Sequence, residues 1–233
     1  RSAVLIASVR ALCAQGSGNE RAPADSASLK KGLCNLGRHL SNLRKFHAPV
    51  VVAINRFSES ESGLEAEIAA YCQAIGVECA VADVYARGGE GGAELAEKCL
   101  SALWQEEGDG PQPLYTSDLT LVTKIETVAR EVYGAGGVYI ESGARKKLEK
   151  YEKAGYGRLP VCMAKTQYSF TDQPKAYGAP SGWTMTVSDA QLAAGAGFVV
   201  VIAGNMMQMP GLGKEPQAVR MDVDGEGRIT GLR

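Results

Sequence analysis

The turn at residues 55–57 contains residue types that could bind a planar ring. Asn55, Arg56 and Phe57 directly follow the apolar run 50–54. In open parallel sheets, ligands bind beyond the carboxyl ends of the strands. An Asn side chain placed there can pair with the edge of a base, and an aromatic ring can cover its face. The alternative is a plain strand-ending turn with Arg56 in solvent.

A second turn combines glycines with an arginine and fits an anion. Tyr85 and Arg87 are followed by Gly88, Gly89, Gly91 and Gly92. Glycine permits positive φ angles and a close approach of the backbone to a ligand. The helix expected next would offer free N–H groups and a positive dipole end to phosphate or carboxylate. A mobile loop without a ligand is the alternative.

The C-terminal half contains a dense polar segment and two separated aromatic residues. The polar segment follows the apolar run 161–164 and consists of Lys165, Thr166, Gln167, Tyr168 and Ser169. If that run is a buried strand, not all of these side chains can lie on a plain surface. Tyr156 and Trp183 could sandwich a flat heterocycle. Core packing is the alternative for both aromatic residues.

Composition argues against several other classes of protein. The net charge is −1 with Lys and Arg scattered, which argues against a nucleic-acid partner. No stretch approaches the roughly 20 apolar residues of a membrane span. The six cysteines contain no Cys-x-x-Cys pair, which favours reduced thiols in an intracellular protein over a zinc site. With two histidines and no Walker A sequence, a catalytic triad, a metal cluster and a phosphate loop are not expected in this chain.

Strand-sized apolar runs alternate with helical patterns in the first hundred residues, which predicts an α/β fold with a parallel sheet. We predict strands at residues 3–9, 50–54 and 77–82, and helices at 61–74 and 92–103. A further helix begins at Ser26. Its apolar stripe consists of Leu29, Leu33, Leu36, Leu40, Leu43 and Phe46.

A stretch rich in Gly, Pro and charge at residues 106–114 predicts a linker, with a domain boundary near residue 110. The predicted regions are therefore 1–110 and 111–233. Within the second region we predict helices at 119–133 and 145–154, short strands at 161–164, 184–187 and 198–202, and a hairpin within 220–232. Because the chain starts at Arg1 and enters an apolar run at once, we expect it to be a piece of a longer protein.

Several stretches, in this order and spacing, resemble the formate–tetrahydrofolate ligase family, also called 10-formyltetrahydrofolate synthetase. They are residues 8–12 (SVRAL), 42–46 (NLRKF), 49–57 (PVVVAINRF), 65–68 (EAEI), 88–92 (GGEGG), 94–96 (ELA), 159–170 (LPVCMAKTQYSF), 194–198 (AGAGF) and 209–212 (MPGL). The run 159–170 is far more specific than a glycine-rich turn. Residues 13–18, residues 58–63 and Arg233 depart from the family pattern.

The resemblance implies part of a P-loop-type parallel-sheet domain, followed by a smaller C-terminal α/β region with the folate site. The phosphate loop would lie upstream of this chain. The implied reaction joins formate to tetrahydrofolate at the expense of ATP, through formyl phosphate, and gives 10-formyltetrahydrofolate, ADP and phosphate. It implies Mg²⁺ with ATP, room for a monovalent cation, a homo-oligomer, and a cytoplasmic or mitochondrial location. This chain alone would be an inactive fragment.

The resemblance also implies roles for individual residues. Asn55, Arg56 and Phe57 would lie near the adenine, and Tyr85, Arg87, Gly88, Gly89, Gly91 and Gly92 would border the nucleotide and formyl phosphate. Tyr156 and Trp183 would stack on the pterin, with Lys165 and Gln167 also binding folate. No catalytic residue or metal ligand is assigned. The alternatives are a non-catalytic folate-binding or interaction module derived from the ligase and, ranked last, an unrelated P-loop-type ligase.

Overall fold

The first sheet contains three parallel strands in the order β1-β2-β3, which confirms the predicted parallel α/β arrangement. The strands are β1 (Ala3–Ala7), β2 (Val50–Asn55) and β3 (Glu78–Ala82). A computed structural model describes residues 2–58, 61–104, 111–166, 168–204 and 214–231. Ala7 pairs with Ile54 and Asn55 pairs with Ala82, so the carboxyl ends of all three strands lie at one edge.

Five α-helices accompany this sheet. They are α1 (Val9–Ser17), α2 (Ser26–Arg44), α3 (Ser62–Ala74), α4 (Val84–Arg87) and α5 (Ala93–Trp104). The predicted start of α2 at Ser26 is confirmed, because Asp25 accepts a hydrogen bond from the Ser28 N–H and caps the helix. The predicted strand 3–9 is too long. Ser8 caps α1 by accepting from the Ala11 N–H, so helix geometry begins at Val9.

Helices α1 and α2 cross at very short distance. A Cβ atom added at Gly16 would lie 1.8 Å from the Ser28 carbonyl oxygen, and one at Gly32 would lie 1.8 Å from the Leu12 carbonyl oxygen. Neither position can therefore accept a side chain without separating the helices. The crossing places Gln15, next to Gly16, close to Asn35, one turn after Gly32.

The second sheet has four strands in the order β4-β6-β7-β5. Their bounds are β4 (Gly137–Ile140), β5 (Val161–Lys165), β6 (Thr184–Ala193) and β7 (Phe198–Ala203). This sheet is mixed, because β4 runs parallel to β6 and β5 parallel to β7, while β6 and β7 are antiparallel. The three predicted short strands are present, and β4 was missing from the prediction.

Two helices pack beside the second sheet, and a small hairpin follows it. Helix α6 (Leu121–Glu131) and helix α7 (Ser142–Tyr151) match the two predicted helices with shifted ends, and a π-helical turn, Glu152–Tyr156, continues α7. A short 3₁₀ turn, Gln217–Arg220, precedes the predicted hairpin. That hairpin is present as β8 (Asp222–Val223) and β9 (Ile229–Thr230). No helix in the described ranges is long and apolar enough to span a bilayer.

Helix α2 connects the two sheets through side-chain contacts. Asn42 Nδ2 donates to the Val132 carbonyl at 2.7 Å, and Asn35 Nδ2 donates to the Gly178 carbonyl at 2.7 Å. The His39 ring lies 4.4 Å from the Phe170 ring. The predicted boundary near residue 110 falls at residues 105–110, outside the described residues, and the division into two domains stays a prediction.

The buried Lys124 organises the start of the second region. It is fully buried, and its Nζ donates to the carbonyl oxygens of Ser117, Gly157 and Leu159 at 2.9, 2.7 and 3.1 Å. Burial lowers the pKa of this ammonium group, and the Glu152 carboxylate acts in the opposite direction. Lys124 therefore ties together segments before α6 and before β5 at a desolvation cost that its hydrogen bonds must offset.

We predict that Lys124→Met lowers the free energy of unfolding by about 3 kcal/mol, because three carbonyl oxygens lose a charged donor. The matched control is Lys147→Met, whose side chain is 47% exposed and pairs with Asp189. Its cost should stay within about 1 kcal/mol. Equilibrium unfolding in urea measures both values, and equal losses for the two variants would contradict the structural role of Lys124.

Candidate functional site

A cavity of about 480 Å³ lies at the carboxyl ends of β1 and β2, beside α1 and α2. Its lining consists of Leu5, Ile6, Ala7, Ser8, Ala11, Leu12, Gln15, Asn35, Leu36, His39, Asn55 and Phe57. No acidic side chain, lysine or arginine is among these lining residues. Burial lowers the pKa of His39, so its imidazole is neutral near pH 7. The cavity thus offers amides, a hydroxyl, a neutral imidazole and apolar surface, which suit an uncharged ring.

Two of the predicted ring-binding residues, Asn55 and Phe57, line this cavity. Phe57 is 59% exposed, so one face of its ring is available to a ligand. The Arg10 guanidinium lies 5.6 Å from the Phe57 ring centroid and pairs with Glu61 at 3.3 Å. Arg10 also lines a second cavity of about 310 Å³, which shares Gln15 with the first. Glu20 lines this second cavity as well, so charged side chains of both signs lie just outside the first cavity.

Arg56 has a partner within the fold. Its Nε donates to Glu65 Oε1 at 3.0 Å, and its Nη2 donates to Glu65 Oε2 at 2.5 Å. The Glu65 residue is only 2% exposed, so this is a buried, two-point ion pair between the end of β2 and helix α3. The alternative of a solvated Arg56 is wrong for this reason. A contact between Arg56 and a nucleotide stays a prediction.

The predicted glycine-rich loop is helical. Helix α4 leads into a 3₁₀ turn, Gly88–Gly92, which continues directly into α5. A Cβ at Gly91 would lie 2.1 Å from the Asp83 carbonyl oxygen, and Gly91 accepts a hydrogen bond from the Asp83 N–H. Packing against the end of β3 therefore requires glycine at position 91. Gly88 has a φ of 58°, which glycine adopts without strain.

The remaining residues of this turn are accessible. Tyr85 is fully exposed, and Arg87, Gly88 and Gly89 are exposed, while Gly92 is half-buried. None of these residues lines the 480 Å³ cavity. Because Asn55 pairs with Ala82, Phe57 and Tyr85 follow the ends of neighbouring strands. The structure thus brings the two predicted nucleotide segments to one edge of the sheet, with an exposed aromatic ring in each.

Lys165 and Trp183 meet around Tyr133. Lys165 Nζ donates to the carbonyl oxygens of Thr171 at 2.6 Å and Thr166 at 2.9 Å, and lies 5.6 Å from the Tyr133 ring centroid. Trp183 Nε1 donates to the Tyr133 carbonyl at 3.3 Å. Burial lowers the pKa of Lys165 to about 8, and the charge of Asp172 acts in the opposite direction. A lysine with this pKa is partly neutral near physiological pH.

Tyr156 lies at the other end of the second sheet. Tyr156 comes before the first residue of β5. The last residue of β5, Lys165, pairs with Ala203, and Ala203 in turn pairs with a residue near the start of β6. A strand of this length spans about 16 Å. Tyr156 and Trp183 therefore do not lie together as a sandwich around one ring. Gln167, the fourth predicted folate residue, lies outside the described residues.

Ten of the twelve lining residues were absent from the sequence prediction of the site, among them the polar residues Gln15, Asn35 and His39. Gln15 belongs to α1, which the pattern did not predict. Asn35 is buried and lies on the same helix face as Leu36. A polar residue among the core positions of an amphipathic helix was the available signal, because a buried amide needs hydrogen-bond partners.

The sequence is similar over its whole length to one protein family. The family model described as formate–tetrahydrofolate ligase matches residues 1–233. The chain belongs to the formate–tetrahydrofolate ligase family. It is 46% identical over 233 residues to the formate–tetrahydrofolate ligases of Paracoccus denitrificans and Maricaulis maris, covering 99% of this chain and 42% of each relative. The ligase of Hyphomonas neptunium is 45% identical over 231 residues, which cover 98% of this chain and 41% of that protein.

The resemblance drawn from the sequence motifs is thereby confirmed at the level of the family. This formate–tetrahydrofolate ligase family chain spans about 42% of the length of the curated relatives it matches. Within the ranges that the structure describes, no group of three or more His, Cys, Asp or Glu side chains could hold a metal ion.

We predict that Arg56→Ala destabilises this ligase-family chain by about 3 kcal/mol, because the buried Glu65 carboxylate loses its counterion. Lys30→Ala is the matched control. Lys30 pairs with Glu67 at 3.8 Å on the surface, and its loss should cost less than about 1 kcal/mol. Chemical unfolding measures both. If Arg56→Ala is as stable as Lys30→Ala, the ion pair does not hold the turn.

We predict that Lys165 loses its proton with a midpoint near pH 8 in the folded chain. The unfolded chain binds that proton up to its ordinary pKa of about 10.4, so this group makes folding more favourable as pH rises through that window. The Nζ chemical shift in ¹⁵N-lysine-labelled protein measures the midpoint, with Lys165→Arg for assignment. Lys147, whose pKa is raised by its hydrogen bond to Asp189, is the control. A Lys165 midpoint as high as that of Lys147 would contradict the prediction.

Proposed function

We propose that this chain supplies the ring-binding part of an ATP-dependent formate–tetrahydrofolate ligase. The observation that carries the proposal is the uncharged cavity at the carboxyl ends of β1 and β2, with Asn55 and Phe57 in its lining. Ligands of open α/β sheets bind at such an edge. Both large substrates of the ligase reaction contain an uncharged planar ring, the adenine of ATP and the pterin of tetrahydrofolate.

The reaction requires positioning more than acid–base chemistry. A formate oxygen attacks the γ-phosphorus of ATP, ADP leaves, and formyl phosphate forms. The N10 amine of tetrahydrofolate then attacks the formyl carbon, phosphate leaves, and the amine loses a proton. Side chains of this chain would bind and orient the rings so that the reacting atoms meet. The rest of the longer protein, including its phosphate loop and P-loop-type domain, would hold the phosphates.

The distribution of charge supports this division. The lining residues that the structure describes carry no permanent charge and so offer a triphosphate no ionic partner, whereas Arg10 lies beside them in the neighbouring cavity. Arg87 and the exposed glycines at the end of β3 are accessible to an anion. Phe57 and Tyr85 expose their rings at neighbouring strand ends and could cover two faces of a heterocycle.

We retain the predicted adenine contact for Asn55, Arg56 and Phe57. We also retain the predicted position beside the nucleotide and formyl phosphate for Tyr85, Arg87, Gly88, Gly89, Gly91 and Gly92. Lys165 and Trp183 are retained for folate, supported by their shared contact with Tyr133. Tyr156 lies apart from them and would contact a different portion of the substrate. Gln167, Mg²⁺, a monovalent cation and the homo-oligomer remain proposals drawn from the family.

We predict that the folded chain binds ATP or tetrahydrofolate. Phe57→Ala and Tyr85→Ala should each weaken binding of the ligand whose ring they cover about fivefold, because each variant loses one stacking contact. Tyr139→Ala is the control, because Tyr139 is exposed on β4 of the other sheet. Calorimetric titration with each ligand separates the two rings. A folded chain that binds neither, or three variants that bind alike, would contradict the proposal.

Tryptophan fluorescence locates the bound folate. The chain has two tryptophans, the exposed Trp104 on α5 and the half-buried Trp183 beside Tyr133. If tetrahydrofolate contacts Trp183, saturable quenching persists in Trp104→Phe and disappears in Trp183→Phe. The reverse pattern would remove Trp183 from the folate site.

A further inference from the structure

The backbone of Gly178 holds two amide side chains at the cavity. The Gly178 N–H donates to Gln15 Oε1 at 2.8 Å, and the Gly178 carbonyl accepts from Asn35 Nδ2 at 2.7 Å. Asn35 Nδ2 also donates to Ser169 Oγ at 2.9 Å. Gln15 and Asn35 both line the 480 Å³ cavity. One residue from the segment between β5 and β6 therefore orients two cavity side chains from different helices.

These hydrogen bonds fix which end of each amide is left for a ligand. Rotating the Asn35 amide by half a turn would place its oxygen against the Gly178 carbonyl oxygen, and rotating Gln15 would place its NH₂ group against the Gly178 N–H. Neither rotated state forms the observed bonds. Asn35 Oδ1 and Gln15 Nε2 are the remaining groups, and within the described ranges neither has a hydrogen-bond partner. The pair thus offers one acceptor and one donor.

The surrounding packing makes this arrangement rigid. The close crossing at Gly16 and Gly32 sets the distance between the two helices. Gly178 has a φ of 74°, and a Cβ there would lie 3.1 Å from Cys34 Sγ, so a side chain at this position is both strained and crowded. The Phe170 ring lies against the ring of His39, which is on the same helix as Asn35. A preorganised donor and acceptor lose little freedom when a ligand binds.

We propose that Asn35 and Gln15 recognise an aminopyrimidine edge, in which an exocyclic amino group lies next to a ring nitrogen. Asn35 Oδ1 accepts from the amino group and Gln15 Nε2 donates to the ring nitrogen, while Phe57 covers a face of the ring. Adenine and pterin both contain such an edge, and the proposal rests on the ring-binding function proposed above. An amide donor–acceptor pair without a charge beside it selects by hydrogen-bond pattern.

The test uses three variants of this chain and calorimetric titration with ATP and with tetrahydrofolate. Gln15→Glu keeps the acceptor for the Gly178 N–H but replaces the cavity donor with an acceptor. Asn35→Leu removes the cavity acceptor. The matched control is Asn42→Leu, which removes an amide from the same helix that also donates to a carbonyl at 2.7 Å but does not line the cavity. We expect Gln15→Glu and Asn35→Leu to weaken binding of the ring ligand at least tenfold, and Asn42→Leu less than twofold.

A second measurement separates recognition from a general structural effect. Removing the exocyclic amino group, as in purine riboside triphosphate for the ATP arm or a 2-desamino analogue for the tetrahydrofolate arm, should weaken wild-type binding about tenfold. Asn35→Leu should bind the parent and the desamino ligand equally, because the partner of the amino group is already gone. A variant that merely loosens the fold would weaken both ligands and retain the difference between them.

The outcomes distinguish this inference from the proposed function. If the wild-type chain binds neither ring, the proposed function fails and the recognition fails with it. If the wild-type chain discriminates against the desamino ligand and Asn35→Leu retains that discrimination, or if Gln15→Glu binds the parent ligand as tightly as wild type, only the recognition by these amides is overturned. If a thermal melt shows that Asn35→Leu does not fold, the binding affinity of Gln15→Glu decides alone, because this variant preserves the hydrogen bond to Gly178.

Discussion

The close crossing of α1 and α2 is the constraint on which the cavity depends. Two glycines, Gly16 and Gly32, let the helix backbones meet where any Cβ would overlap a carbonyl oxygen. This contact sets the separation of the two helices beside the carboxyl ends of β1 and β2, and so sets the width of the cavity between them. It also decides which side chains can reach across. Gln15 and Asn35 converge on Gly178 because their helices cannot move apart without losing this packing.

Charges and amides have different tasks in this chain. Arg56 and Lys124 have their partners within the fold. Arg56 is paired with Glu65, and Lys124 donates hydrogen bonds to three backbone carbonyls. Both satisfy the rule that a buried charge needs a full set of partners. The cavity, by contrast, is lined by amides, a hydroxyl and a neutral imidazole. Such groups suit an uncharged ring better than a phosphate, and under the proposed function the charged end of a substrate would extend toward Arg10 or Arg87.

Local patterns predicted the elements whose signal lies within a few residues. The strand 50–54, the helix start at Ser26 and the C-terminal hairpin follow from apolar runs, a cap and a turn. Helix α1 has only nine residues and begins directly after β1, so the apolar run before it predicted a longer strand. Strand β4 has four residues between turns and gave no separate signal. The amide pair depends on a partner 143 residues away, which no local pattern encodes. The family motifs supplied the chemistry that the patterns could not.

The segment between β5 and β6 connects the second sheet to the helices beside the first sheet. It begins after Lys165, ends before Trp183, and between them contacts helices of the first sheet through Ser169, Phe170 and Gly178. Side chains predicted to bind folate therefore flank a segment that orients the amides of the ring cavity. Under the proposed function an activated formyl group and a folate amine would have to meet, and a segment that joins β5 to β6 and also contacts α2 would help to fix the distance between their sites.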